Sequence, residues 1–189
     1  MKKKIALFAS GSGTNAENIF RSFESHPNIE VAMLISNKAN AGVWERFQHI
    51  PISKIIISKN DLSSQEFLAQ LASVDYIILA GFLLLIPPKL IRAYPNKIIN
   101  IHPSLLPKYG GKGMYGDHVH EAVLEHKESE SGITIHLVNE EYDKGRILFQ
   151  AKCIVDTSDT IERLRAKIHG LEMDYFPKVI ENYILESRS

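Results

Sequence analysis

The stretch Ile5-Ala6-Leu7-Phe8-Ala9-Ser10-Gly11-Ser12-Gly13-Thr14-Asn15 decides the reading of this chain. An apolar run of strand length stops at a glycine-rich turn. Ala16, Ile19, Phe20 and Phe23 then recur at helical spacing. Strand, tight turn, helix is the first half of a βαβ unit. The glycines let the backbone turn sharply, and the start of the helix presents unpaired N–H groups and a partial positive charge, so Ser12, Gly13, Thr14 and Asn15 form a candidate phosphate cradle. A tight βα turn capped by a Ser or Thr is the plainer alternative. Gly11, Gly13 and Ala16 also match the spacing G-x-G-x-x-A, but Ser36-Asn37-Lys38 stands where a dinucleotide site would carry an acidic residue for the ribose.

The same rhythm continues outward. Apolar runs near 29–35, 54–58, 75–80 and 97–101 join the first, at 3–9, as strands, and Phe67, Leu68 and Leu71 mark a further crossover helix. After about residue 130 the pattern changes. Ile133, Ile135 and Leu137 alternate with Thr134, His136 and Val138, and Ile147 to Val155 forms a second extended run, so a hairpin-like pair is expected. From Thr160 the residues Ile161, Leu164, Ile168, Leu171 and Tyr175 predict a long closing helix, with Asp159 and Glu162 as its capping box. The fold class is therefore α/β: a predominantly parallel twisted sheet with helices on both faces and a late antiparallel strand pair. No repeat or linker divides the 189 residues. One domain in two halves is expected, 1–100 for phosphate binding and 101–189 for the remaining loops, late strands and closing helix.

Composition narrows the function. Lys plus Arg and Asp plus Glu each number 22, so no field of one sign draws in nucleic acid or a membrane surface. A single cysteine, Cys153, excludes an intrachain disulfide and points to a reducing compartment, the cytoplasm; the thiol itself is read as a small core residue. The basic start Met1 to Lys4 leads into only five apolar residues, short of the roughly 7 to 15 of a secretory segment.

Asn100-Ile101-His102-Pro103-Ser104-Leu105-Leu106-Pro107 follows the fifth strand. Asn100 and His102 are two apart on an extended chain and share a face, and Pro103 keeps His102 out of a helix. The segment Pro103 to Gly116 holds two prolines and four glycines, the composition of an irregular functional loop. Asn139 to Arg146 reads as a charged hairpin loop, in which Asp143 gains meaning only with a partner. A carboxylate beside His102 would orient the ring and favour its protonated form. His118, His120 and His126 with Asp117 lack the i, i+4 spacing of a helical metal site and read as solvated helix residues. His169 and Glu172 share a helix face, as a surface pair or as a ribose or amine contact.

Taken together, Ser10 to Asn15, Ser36-Asn37-Lys38, Leu79 to Phe82, Asn100 to Tyr109, Asp143-x-Gly145 and Glu172 to Pro177 resemble the folate-dependent formyltransferases over nearly the whole chain. The resemblance implies a Rossmann-like formyltransferase fold. It also implies transfer of the formyl group of 10-formyltetrahydrofolate, a cosubstrate, to the amine of glycinamide ribonucleotide in purine (IMP) synthesis. Asn100, His102 and Asp143 match the family's catalytic trio, and Ser12 to Asn15 match its substrate-phosphate loop. Glu172 matches a residue that helps hold the substrate. Leu83, Leu84, Leu85 and Ile86, with the backbone of Asn139, Glu140 and Glu141, match the folate-binding stretch. Leu84 stands where a family member carries Arg, and the loop Gly110 to Gly116 is a few residues longer than usual. No metal is implied; the partners are small molecules, with neither nucleic acid nor membrane, and the chain is a monomer or weak homodimer. Formyl transfer to tRNA is opposed by the neutral charge balance. Two further alternatives are hydrolysis of the folate and a noncatalytic nucleotide-binding module using only the glycine turn.

Overall fold

The computed structural model describes residues 1–186, and the chain forms two compact units that divide after Asn100. In the first, five strands run parallel in the order β3-β2-β1-β4-β5: β1 Lys3–Phe8, β2 Ile29–Ser36, β3 Ser53–Ile56, β4 Tyr76–Leu79 and β5 Ile98–His102, whose last two residues belong to the second unit. β1 is central, pairing Ile5 with Val31 of β2 and with Tyr76 of β4. Ile5 to Phe8 and all of β4 are buried, the continuous apolar reading expected of strands covered on both faces. Phe8 anchors this core with edge-to-face contacts to Phe67 and Phe82, at centroid distances of 6.1 and 5.2 Å.

Helix α1 (Thr14–Phe23) buries Ala16, Ile19, Phe20 and Phe23, the four residues that its spacing singled out. Its preceding residue, Gly13, sits in the left-handed region at φ 78°, and a Cβ there would collide with Val43. Only glycine suits that position. Two short helices escape the periodicity argument, α2 (Val43–Phe47) and α4 (Pro88–Ala93), because neither is long enough to establish a stripe. Helix α3 (Gln65–Gln70) is the crossover marked by Phe67.

In the second unit the order continues from the end of β5 through β6 (Glu130–Leu137) to β7 (Ile147–Ile154). β6 and β7 are antiparallel, with Ile133 opposite Ala151 and a bulge between Ile135 and His136. Helix α5 (Asp117–Glu125) and the long α6 (Ile161–Glu186) complete this unit. The expected capping box does not form: Thr160 Oγ1 alone accepts from the Arg163 N–H, while Asp159 accepts from the Asp156 N–H and pairs with Lys167. The buried row of α6 is Leu164, Ile168, Phe176, Ile180 and Ile184; Leu171 and Tyr175 are only half-buried. Cys153 is likewise half-buried on β7, not in the core, and burial pushes its thiol up.

Candidate active site

His102 ends β5 and lies almost fully buried, its ring fixed by the loop that follows. Nε2 is 2.7 Å from the Tyr109 carbonyl oxygen, which can only accept, so Nε2 carries the hydrogen. The loop is itself pinned to β6. Thr134 Oγ1 donates to the Ser104 carbonyl at 2.6 Å, accepts from Leu106 N–H at 3.0 Å, and receives a third bond from Gln150 at 2.8 Å. Ser104 closes the turn by donating to the Lys108 carbonyl at 2.6 Å.

The other nitrogen, Nδ1, faces the Asp143 carboxylate at 3.7 Å. Asp143 reaches back from the β6–β7 loop because Gly145 lies against the Leu137 carbonyl, where any side chain would collide. Its own backbone is left-handed at φ 54°, a conformation that costs a non-glycine residue on the order of 1 kcal/mol and that surrounding contacts must enforce. Two contacts do so: the Gly111 N–H donates to Oδ2 at 2.8 Å, and His136 Nε2 stands 3.6 Å from Oδ1. His136 is buried on β6, and its Nδ1 lies 2.9 Å from the Leu137 carbonyl. Burial pushes the Asp143 carboxyl up, yet the His136 and His102 rings and the Gly111 N–H together hold it below the usual carboxylate range.

The protonation expected of His102 is corrected here. Asp143 does pull the ring upward, but burial outweighs it and the net displacement is downward. A ring that is 5% exposed loses more hydration on charging than one carboxylate at ion-pair distance returns. Glu172 also acts on His102 electrostatically, and on His120. Glu172 stands between Ile168 and Phe176 in a row of residues spaced four apart, where an apolar residue would continue the stripe. Its side chain is 14% exposed and lies 3.5 Å from His169 Nδ1. His120, read from sequence as solvated, is buried on α5 and its Nδ1 has no hydrogen-bond partner, whereas His118 and His126 are exposed.

In the first unit the turns after β1 and β4 are tied together. Ser10 N–H donates to the Gly81 carbonyl at 3.0 Å, and Leu83 N–H donates to Ser10 Oγ at 2.9 Å. No side chain caps α1, and the loop before it is braced by Arg46, which donates to the Ser12 carbonyl at 2.7 Å. The C-terminal ends of β1, β4 and β5 lie at one edge of this parallel sheet, where such sheets collect ligands. Asn100, half-buried in β5, is at that edge.

Residues 3–180 match the formyl transferase family. The chain belongs to the formyl transferase family. It is 42% identical over 188 residues to the chloroplastic phosphoribosylglycinamide formyltransferase of Arabidopsis thaliana, with 95% of this chain covered, and it spans 64% of that protein's length. Against phosphoribosylglycinamide formyltransferase of Bacillus subtilis the identity is 36% over 190 residues, covering 96% of this chain and 95% of that one. The crystal structure of phosphoribosylglycinamide formyltransferase from Bacillus halodurans superimposes with a TM-score of 0.86 at 36% identity, covering 96% and 95% of the two chains. The fold is thus the Rossmann-like one expected.

Within this formyl transferase chain, the second unit brings His102, Asp143 and Glu172 into one electrostatic neighbourhood, and Asn100 precedes His102 by two residues on the same strand. Leu83 and Leu85 are exposed apolar side chains, Leu84 is half-buried, and Ile86 belongs to the core. Asn139, Glu140 and Glu141 are exposed, and Asn139 Oδ1 accepts from Glu141 N–H at 3.1 Å to shape the turn before Asp143. Sequence reasoning missed His136, the Gly111 N–H and the Tyr109 carbonyl. The available signal for His136 was a histidine in a strand buried on both faces from Ser131 onward. Among the described residues no cluster of three His, Cys, Asp or Glu could hold a metal ion, and no helix is long and apolar enough to cross a membrane.

Proposed function

We propose that the chain transfers the formyl group of 10-formyltetrahydrofolate to the amine of glycinamide ribonucleotide, giving formylglycinamide ribonucleotide and tetrahydrofolate in de novo purine synthesis. The observation that carries this reading is the buried His102–Asp143 pair at 3.7 Å, two residues on from Asn100, in a chain of this family. The amine nitrogen attacks the formyl carbon, a C–N bond forms, and the carbonyl oxygen takes up negative charge. Asn100 and the His102 Nε2–H donate to that oxygen, the latter exchanging the Tyr109 carbonyl for it. Removing one such donor commonly costs about 2.7 to 4 kcal/mol of transition-state stabilisation. The proton leaving the amine reaches the folate nitrogen through His102 or a water beside Asp143 as the old C–N bond breaks, a contribution of roughly 10² to 10⁴ in rate.

Asp143 supports this because its charge stabilises the ring as a cation once the intermediate forms. The substrate phosphate is assigned to Ser12, Gly13, Thr14 and Asn15, and its amine end to Glu172. The folate is assigned to Leu83, Leu84, Leu85 and Ile86 with the Asn139–Glu141 backbone. The two units acting as one domain, a cytoplasmic location, a monomeric or weakly dimeric state, and no requirement for metal, nucleic acid or membrane are parts of the same proposal. The test supplies a 10-formylfolate donor with glycinamide ribonucleotide, with formylatable tRNA, or with water alone, and follows deformylated folate spectroscopically. Fast release is expected only with the first; faster release with tRNA or water overturns the proposal.

A further inference from the structure

The turn between β1 and α1 is held from behind by α2. Three consecutive carbonyls in it are committed: Gly11 accepts from the Val43 N–H at 3.1 Å, Ser12 from Arg46 Nε at 2.7 Å, and Gly13 from the Glu17 N–H at 2.9 Å. The approach is close as well as bonded. A Cβ added at Gly42 would press on the Ser12 Cα at 3.3 Å, and one at Gly13 would collide with Val43. Arg46 serves both sides of this contact, because its Nη1 also donates to Glu17 on α1 at 2.6 Å. One guanidinium fork thus joins α2, the glycine turn and α1.

A trans peptide is planar, with its C=O and N–H pointing in opposite directions. The peptide bonds of this turn are trans, the cis bond among the described residues being Leu106–Pro107. Drawing the Gly11 and Ser12 carbonyls back toward α2 therefore directs the N–H groups of Ser12 and Gly13 away from it. Two successive amides turned to one side present a concave pair of donors to an anion. The guanidinium does more than orient them. Hydrogen bonds at the two ends of one peptide polarise each other, so a charged donor on the Ser12 carbonyl makes the Gly13 N–H a stronger donor. We propose that Arg46 is a positioning residue for the acceptor's phosphate, acting through the Ser12–Gly13 peptide. This role rests on the assignment of the phosphate to Ser12, Gly13, Thr14 and Asn15, and it names the side chain that sets the affinity of that turn.

The test uses the full chain, with inorganic phosphate as probe and glycinamide ribonucleotide as acceptor. Arg46→Met keeps an unbranched side chain and removes its donors. KM for glycinamide ribonucleotide is expected to rise about tenfold, the worth of one charge-assisted hydrogen bond, with kcat and the KM of a dephosphorylated analogue within about threefold of the parent. A merely structural defect would lower kcat with both acceptors alike, and that result, or an unchanged KM, overturns the proposal. Adding Glu17→Gln removes the carboxylate that Arg46 pairs with. The double variant is expected to stay impaired; a return to the parental KM overturns the proposal in favour of charge balance alone. The Ser12 and Gly13 amide resonances are expected to shift with inorganic phosphate in the parent, and to need about tenfold more of it in Arg46→Met. Equal midpoints overturn the role of Arg46 and leave the phosphate assignment standing, whereas amides that ignore phosphate in the parent overturn both. This titration needs no turnover, so failure of formyl transfer is read separately. Should the variants not fold, the parent decides: its Arg46 Nε–H resonance is expected to move with the phosphate midpoint of the Gly13 amide, and a stationary Nε–H overturns the proposal.

Discussion

Replacing Asp143 with Asn tests the electrostatic core of the site with little change of shape. Asn keeps an oxygen for the Gly111 N–H, which donates at 2.8 Å, and it tolerates the left-handed backbone at φ 54° better than most residues. What it removes is one negative charge, 3.7 Å from a ring that is 5% exposed. Opposite unit charges about 4 Å apart attract by about 4 kcal/mol at an effective dielectric of 20. His136 shares that charge from the other side at 3.6 Å. Allowing for this division, the loss to a developing imidazolium is about 2 to 4 kcal/mol, or roughly 30- to 1,000-fold in kcat. KM for glycinamide ribonucleotide should change little, because the interaction strengthens only as the ring becomes charged. Without Asp143, burial acts on His102 less opposed, so the ring titrates at lower pH than in the parent. The assay is initial-rate release of deformylated folate at saturating donor, with circular dichroism melting as the folding control. A folded Asp143→Asn protein turning over within threefold of the parent would refute the reasoning.

Thr14→Ala and Asn15→Ala should raise KM for the phosphorylated acceptor several-fold while leaving a dephosphorylated analogue unaffected; equal losses on both would remove the phosphate role. Gly145→Ala places a methyl group against the Leu137 carbonyl and should cost about 1 to 3 kcal/mol, at roughly 3 °C per kcal/mol for a chain of this size, so an unchanged Tm contradicts the contact. Stability should fall in acid in two stages. His102 titrates lower in the folded chain than unfolded, so the unfolded state binds its proton first and stability drops as pH falls below about 6.5. Asp143 and Asp75 are also lowered by folding, burial being outweighed in each by their partners; their contribution is complete above about pH 4 and is lost as pH falls through their folded values. Buried His120 is lowered in the same way and adds to this upper stage, so urea melts against pH should show an upper stage that His102→Gln diminishes; a stage undiminished in that variant assigns it elsewhere.

What could be read from the sequence is what short-range physics determines. The β1 turn and α1 follow from an apolar run, two glycines and a four-residue stripe, and each of those stripe residues is buried. The pairing of Asn100 with His102 needs only the two-residue period of a strand. Asp143 is different in kind. Nothing within several residues of it indicates a left-handed backbone or a position between two imidazoles, because both depend on a bulge in β6, a glycine against a carbonyl, and a loop held by Thr134. The sign of the His102 displacement is hidden from the sequence for a related reason. The carboxylate could be guessed from residue types, but the burial that outweighs it belongs to the assembled core and has no local signature. Glu172 lies between these cases, since its place in a row of buried residues four apart was visible, yet a row continued by a carboxylate reads as a break in the stripe until the neighbouring His102 gives it a purpose.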